Sequence, residues 1–303
     1  MRNAKLDNIN LKAGIHTVSI RSRTLSPLKR QDVPWLTSVF TPQGSPWHIY
    51  KLNLNHMGGG DIWSLAEFEI LIQQAAHIME LDSWEYVRVD FRLDQYIDNY
   101  DELRKLNRLL ITGLSIMCGM GNRFESDDFL TENQLTITAK GQRLEVENYN
   151  KALQEPTNPA KNRLEVRTLR VYEFGTKKDL YHLIEDWKDR LQQVVDNFDK
   201  VQDECNRNLL KRYQKETAIK SIRKLSDFIW LHQSKIYCRP QLVKLLEALG
   251  ARNPDKAANN YKSRIKGLEY FCKADLKAYV DKISQSLTVY QNTPPKLSKN
   301  ESF

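Results

Sequence analysis

Arg88-Val89-Asp90-Phe91-Arg92 and, 75 positions later, Arg163-Leu164-Glu165-Val166-Arg167 share one pattern: arginine, apolar, acid, apolar, arginine. A period of two marks a strand, in which successive side chains point to opposite faces. Val89, Phe91, Leu164 and Val166 therefore face a core, and Asp90 and Glu165 each lie between two cations on the other face. Working outward, the first pattern belongs to a strict alternation from Tyr86 to Leu93, and the second opens the run RLEVRTLRVYEF. Between them come a helical stretch from Tyr100 to about Gly119 and the runs LTITA and RLEVENY, which predict a hairpin around Lys140-Gly141. Upstream, HTVSI and WHIYKLNLN read as short strands broken by prolines and by Gly58-Gly59-Gly60. Asp61 or Ser64 can then cap a helix whose apolar residues Ile62, Leu65, Phe68, Ile72, Ala76 and Met79 recur at helical steps, reaching about Leu81. This order predicts the α+β class: an antiparallel sheet with packed helices over residues 1–180.

Beyond Gly175 the pattern is helical. Ile184, Trp187, Leu191, Val194, Phe198, Val201 and Cys205 alternate steps of three and four, a seam that packs on its own domain or joins two copies in a homodimer. Two shorter helices follow, Arg239 to Leu249 stopped by Gly250 and Pro254 to about Phe271, in the outline of a helix-turn-helix. Residues 181–287 thus read as an all-helical region for DNA binding or oligomerisation. Residues 288–303, rich in Pro, Ser, Asn and Lys, read as a disordered tail.

The chain has 303 residues, 41% apolar and 28% charged, enough for a substantial core. No apolar run approaches the ~18 residues of a membrane span, and MRNAKLDNIN lacks the apolar stretch of a signal peptide. The expectation is a protein without a membrane partner. The four cysteines (Cys118, Cys205, Cys238, Cys272) form no CxxC pair, which argues against a zinc site or a disulfide framework and fits a reducing cytoplasm. The net charge of +8 is unevenly placed: residues 1–180 hold 23 Lys and Arg against 23 Asp and Glu, whereas 181–303 hold 23 against 15. A balanced body followed by a basic helical region suggests an appendage for a polyanion. Lys256, Lys262, Arg264 and Lys266 decorate the last of the two short helices and are its candidate DNA contacts.

The chemistry gathers on the polar strand faces. If the two Arg-acid-Arg strands are neighbours, Asp90 and Glu165 converge as hard oxygen ligands for Mg²⁺ or Mn²⁺, while Arg88, Arg92, Arg163 and Arg167 are placed to meet phosphate. The alternative is a sheet face laced with cross-strand ion pairs. In the strand RLEVENY, Glu145, Glu147 and Tyr149 take the polar face, with Lys151 two residues on. A tyrosine there can be a nucleophile once its phenolate is stabilised, and Lys151 can neutralise charge developing on a phosphate.

The order of an RVD strand, a Tyr149-Asn150-Lys151 motif and an RLEVR strand resembles the rolling-circle replication initiators, in particular the filamentous-phage gene II/X proteins and the related plasmid initiators and conjugative relaxases. The resemblance covers residues 85–171. It implies that Tyr149 cuts one DNA strand at a replication origin, keeps the 5′ phosphate and frees a 3′ hydroxyl, while Asp90 and Glu165 hold the metal and Lys151 assists. It also implies double- and single-stranded origin DNA, a host helicase and a host polymerase as partners, in the cytoplasm of a bacterium carrying a phage or plasmid. A relaxase would use the same chemistry; a DNA-binding regulator would keep the fold and cut nothing. One departure stands out: no His-hydrophobe-His pair is present, with His16, His48, His56, His77, His182 and His232 all isolated, and His48 or His56 remaining as a candidate missing ligand. There is no GxxxxGK[ST] phosphate loop, in keeping with strand transfer that conserves bond energy without ATP.

Overall fold

The computed structural model describes residues 9–96, 100–120, 122–125, 136–151, 162–171, 179–201, 239–248, 250–264 and 273–295. Among the described residues eight strands form one sheet: β1 (Asn10–Ser22), β2 (Leu36–Phe40), β3 (His48–Leu52), β4 (Glu85–Tyr96), β5 (Asn122–Glu125), β6 (Thr136–Lys140), β7 (Leu144–Tyr149) and β8 (Asn162–Leu169). Their spatial order is β2-β3-β1-β4-β8-β7-β6-β5, and every pairing is antiparallel. Among the described residues six α-helices accompany them: α1 (Leu65–Ile78), α2 (Tyr100–Met117), α3 (Leu180–Asp196), α4 (Arg239–Ala248), α5 (Pro254–Arg264) and α6 (Lys273–Asn292). The α+β class is the predicted one, and β4 and β8 are neighbours at the middle of the sheet.

Alternation fixes which face meets the helices. Ile15, Val18, Ile20, Val89, Phe91, Leu93, Val146, Leu164 and Val166 are buried in one core with residues of α1, α2, α3 and α6. Of the two possible caps for α1, Ser64 is the one used: its hydroxyl accepts from the Glu67 amide, and Ser64-Leu65-Ala66-Glu67 has the sequence of a capping box. The predicted β6–β7 hairpin is present, closed by the Gly141 amide donating to Leu144 O at 2.8 Å. A buried polar cluster ties helices to sheet. Gln95 on β4 bonds Asn107 of α2, Tyr279 of α6 and Asn162 of β8, so the Gln95 amide is paired at both ends, while Asn162 Oδ1 has no hydrogen-bond partner among the described residues.

The expected division at residues 180/181 does not separate two cores among the described residues. The α3 stripe Ile184, Trp187, Leu191 and Val194, continued by Phe198 and Val201, is buried in the same cluster as the sheet. The seam therefore packs on its own domain, and its face is not available for a second copy. Helix α6 lies along β1, with the Ser286 hydroxyl donating to Leu11 O. The tail expected from residue 288 is also corrected. Helix α6 continues to Asn292 with Tyr290 buried, because Tyr279, Ile283, Leu287 and Tyr290 keep a helical stripe past that point. The pair α4 and α5 packs together around Gly250 (φ 77°), as its helix-turn-helix outline suggested. Strands β2 and β5 were not foreseen: both are short strands at the ends of the sheet.

Where α2 crosses α3, Gly113 allows close approach: a methyl group there would meet Val194 Cγ1 at 2.2 Å. Overpacking of this kind costs ~1–3 kcal/mol, more than the ~1 kcal/mol of helix propensity that alanine adds. Gly113→Ala is therefore expected to lower the urea midpoint without changing the m-value, and an unchanged or higher midpoint would contradict this packing.

Candidate functional site

Strand register arranges the polar face in three rungs across β1, β4, β8, β7 and β6. Asp90, Arg167, Glu145 and Lys140 form one, with Thr17 of β1 opposite Asp90. The second runs from Gly14 through Arg92, Glu165 and Glu147 to Thr138, and the third from Lys12 through Asp94, Arg163 and Tyr149 to Thr136. On β4 and β8 the charges alternate in both directions, so each carboxylate lies opposite a guanidinium. This checkerboard is buried: Asp90, Arg92, Asp94, Arg163 and Glu165 are all 3% exposed or less.

Burying so much charge requires pairing. Arg163 grips Asp94 with two parallel bonds, Nε to Oδ1 and Nη2 to Oδ2 at 2.9 Å. Arg88 holds Asp90 in the same two-fold way at 2.6 and 2.7 Å. Arg167 reaches Glu145 at 2.9 Å, Glu165 at 3.1 Å, and Glu147. The structure thus contains the ion-paired face that formed the alternative reading. The register does not put Asp90 and Glu165 opposite each other: they occupy successive rungs, and Arg88 occupies Asp90. Burial raises the Asp90 carboxyl above its ordinary range, against the pull of Arg88.

Glu165 is the hub. The Tyr149 hydroxyl donates to Glu165 Oε1 at 2.6 Å, Arg163 Nη1 stands 3.9 Å from the same oxygen, and His16 Nδ1 stands 4.0 Å from it. Burial works against the charge on Glu165, but the His16 ring when protonated, the Tyr149 hydroxyl and the two arginines outweigh it and hold the carboxyl below its usual range. Tyr149, 7% exposed, is pushed well above the usual phenol range by burial and by the Glu165 charge. The resting pair is therefore a phenol donating to a carboxylate. Lys151 is buried, with Nζ 5.9 Å from the centre of the Tyr149 ring. Arg92 gives Nη1 to Asp61 at 2.7 Å and stacks 4.6 Å from the Trp63 ring centre, while its Nε and Nη2 have no hydrogen-bond partner among the described residues.

Tyr149, Lys151, Glu165 and Arg163 thus gather on one part of the polar face, with Arg92, Asp90, Arg88 and Arg167 on the neighbouring strand positions. His16 was missed, and the candidates His48 and His56 are not the histidine at this site. The alternation of β1 breaks between Ile15 and Thr17, where a bulge lets His16 lean toward Glu165. A bulge arises from pairing, so the local sequence carried no signal for it. Burial lowers the His16 pKa to about 4, leaving a neutral imidazole whose Nδ1 shares a 3.0 Å hydrogen bond with Thr17 Oγ1. Lys256 is exposed on α5. The side chains of Lys262 and Arg264, and all of Lys266, lie outside the described residues.

No protein-family model matches the chain, and no curated protein matches its sequence. Among solved structures it is similar to the rolling circle replication initiator protein from Geobacillus stearothermophilus, with 10% identity and a TM-score of 0.33 over 58% of this chain and 77% of that one. A superposition that loose leaves the chemistry of the site to be read from its own side chains. No helix among the described residues is long and apolar enough to cross a membrane.

Two outcomes test this geometry. Asp94→Ala leaves Arg163 buried without its two-fold partner, and loss of ~3–5 kcal/mol is expected in urea unfolding; a near-neutral change would mean the pair is not buried as described. His16 gives a pH signature. Between its ordinary value near 6.5 and about 4, the unfolded chain binds a proton that the folded chain refuses, so stability falls as pH falls through that window. His16→Gln should flatten the dependence of Tm on pH there, and an unaltered slope would contradict a neutral, half-buried imidazole.

Proposed function

We propose that this chain is a DNA strand transferase that nicks one strand at a replication origin, with Tyr149 as the nucleophile. The observation that carries the reading is the 2.6 Å hydrogen bond from the Tyr149 hydroxyl to Glu165, set among Lys151, Arg163 and Arg92. A phenol held above its usual pKa attacks only if its proton leaves during the step. Glu165, ionised and aligned, accepts that proton as the phenolic oxygen bonds to phosphorus and the bond to the 3′ oxygen breaks. The departing 3′ oxygen takes a proton from water, so the products are a 5′-phosphotyrosine and a free 3′ hydroxyl for extension by a polymerase. The two unpartnered nitrogens of Arg92 and the Lys151 ammonium are suited to the phosphate oxygens on which charge grows.

The resemblance also implies Mg²⁺ or Mn²⁺. Among the described residues no group of three His, Cys, Asp or Glu side chains converges as a metal cluster. Glu165 and the neutral His16 ring, 4.0 Å apart, nevertheless fit an ion that keeps water and substrate phosphate as its other ligands. Such an ion, when bound, polarises the scissile phosphate. Asp90 joins this set only if Arg88 releases it.

The burial of Tyr149 favours a second reading, in which the tyrosine-glutamate pair only braces the sheet and the chain is a regulator that binds DNA through α4 and α5. Incubation with supercoiled origin plasmid and Mn²⁺ separates the two. The transferase gives nicked circles with protein attached to a 5′ end, abolished in Tyr149→Phe and slowed ~10²–10⁴-fold in Glu165→Gln. Tight binding with no nick would leave the regulator. A relaxase would use the same chemistry and give the same products.

A further inference from the structure

The first half of β1 has a strand on one side only, and an open groove runs along the other. Strand β3 pairs with Val18–Ser22, so among the described residues Asn10–Ile15 pair with β4 alone. Helix α6 lies beside this edge, and a cavity of about 460 Å³ opens between them. Its two walls differ. On the face that carries α6 stand Leu11, Ala13 and Val289, the last 59% exposed. On the polar face of the sheet stand Lys12 and Trp63, with Lys12 Nζ 5.4 Å from the Trp63 ring centre and 5.6 Å from that of Tyr96. Among the described residues lining the cavity, Lys12 and Lys282 are charged and none is acidic.

The Ser286 hydroxyl of α6 donates to Leu11 O at 3.2 Å, so the Leu11 main chain faces this edge and not β4. Alternate residues of a strand turn their N–H and C=O to the same side, which brings Ala13 to the edge with it. A carbonyl has two lone pairs, and the Ser286 bond uses one of those on Leu11. The groove stops near Gly14, where the Ser64 hydroxyl donates to Thr293 O at 2.5 Å and joins the start of α1 to the end of α6. The edge on offer is thus Asn10–Ala13, ~14 Å long at ~3.4 Å per residue. We infer that this groove docks an extended peptide segment of a partner protein, in which acidic and apolar residues alternate, as a further strand antiparallel to β1. The alternation follows from the walls. Successive side chains of an added strand turn to opposite faces, so apolar ones fall beside Val289 and acidic ones beside Lys12. Main-chain bonds to the edge supply affinity, and the two walls choose the side chains. Charge complementarity selects an acidic segment over a basic one. A nucleic acid would also meet the cations, but its backbone has no row of amide donors and carbonyl acceptors for a strand edge. This docking is independent of the Tyr149 chemistry.

The test uses the full-length chain and a fluorescein-labelled eight-residue peptide in which glutamate alternates with valine, read by fluorescence anisotropy. Wild type and Tyr149→Phe should bind it equally, whether or not wild type nicks DNA, so the two proposals fail separately. Val289→Glu, at an exposed helix position, should weaken binding at least about tenfold by setting a carboxylate on the apolar wall. Lys12→Glu should weaken it by a similar factor through like charge, and both variants should keep the wild-type urea midpoint. Lysine in place of glutamate in the peptide should abolish binding. Residues opposite Leu11 and Ala13 in an antiparallel pair share their face, so the valine amides are the donors to β1. N-methylation of the valines should therefore abolish binding, and N-methylation of the glutamates should spare it. Absence of binding by the alternating peptide, unchanged affinity in both variants, or equal effects of the two N-methylations overturns the inference. Displacement of the peptide by an equal concentration of ten-residue oligothymidylate would overturn it in favour of a nucleic-acid groove. A dimer of wild type alone that Val289→Glu dissociates in sedimentation would overturn it in favour of a second copy.

Discussion

A buried arginine that must be paired sets the terms for the rest of the sheet. Arg163 has almost no exposure at the centre of an eight-stranded sheet, where an unpaired charge would cost several kcal/mol. Its two-fold bond to Asp94 across the β4–β8 ladder meets that cost only in one register. A slip by one residue would turn Val89 and Phe91 out of the core and Asp90 and Arg92 into it. The apolar and polar faces therefore enforce the same pairing, one by burial and the other by charge. With that register in place, Glu165 falls between Arg92 and Glu147, and Tyr149 falls beside Arg163 with its hydroxyl on Glu165.

This arrangement holds the Tyr149 hydroxyl as a phenol donating to an ionised carboxylate. The same carboxylate that raises the phenol pKa is the group that would take its proton in the proposed chemistry. Arg92 illustrates the economy of the site. It makes one ion pair with Asp61 and one stack with Trp63, leaving two donors without partners among the described residues. Gly14 makes room for it, since a Cβ there would lie 3.0 Å from Ile62 O and 3.3 Å from Arg92 Nε.

Much of the sheet was legible from local pattern. Strands β4, β7 and β8, the β6–β7 hairpin and helices α1, α2 and α3 follow from periods of two and 3.6, because burial of one face imposes those periods wherever an element lies on a core. The candidate site was legible to the extent that short repeats pointed to it, namely Asp90, Tyr149, Lys151, Glu165 and their arginines. The domain boundary was not legible. A basic, helical C-terminal sequence looks like an appendage, yet α3 and α6 complete the core of the sheet, and nothing in helical periodicity tells a stripe which surface it will meet.

The amino-acid order alone determined which side chains share a face, since that depends only on the two-residue repeat of a strand. Tertiary structure decided which of them meet. It placed Asp90 against Arg88 and Arg167, left Glu165 to Tyr149, and brought His16 to the same carboxylate through a bulge in a strand more than 140 residues away. Those choices belong to register and to local breaks in it, which are set by the summed pairing of all the strands and are written in no single segment.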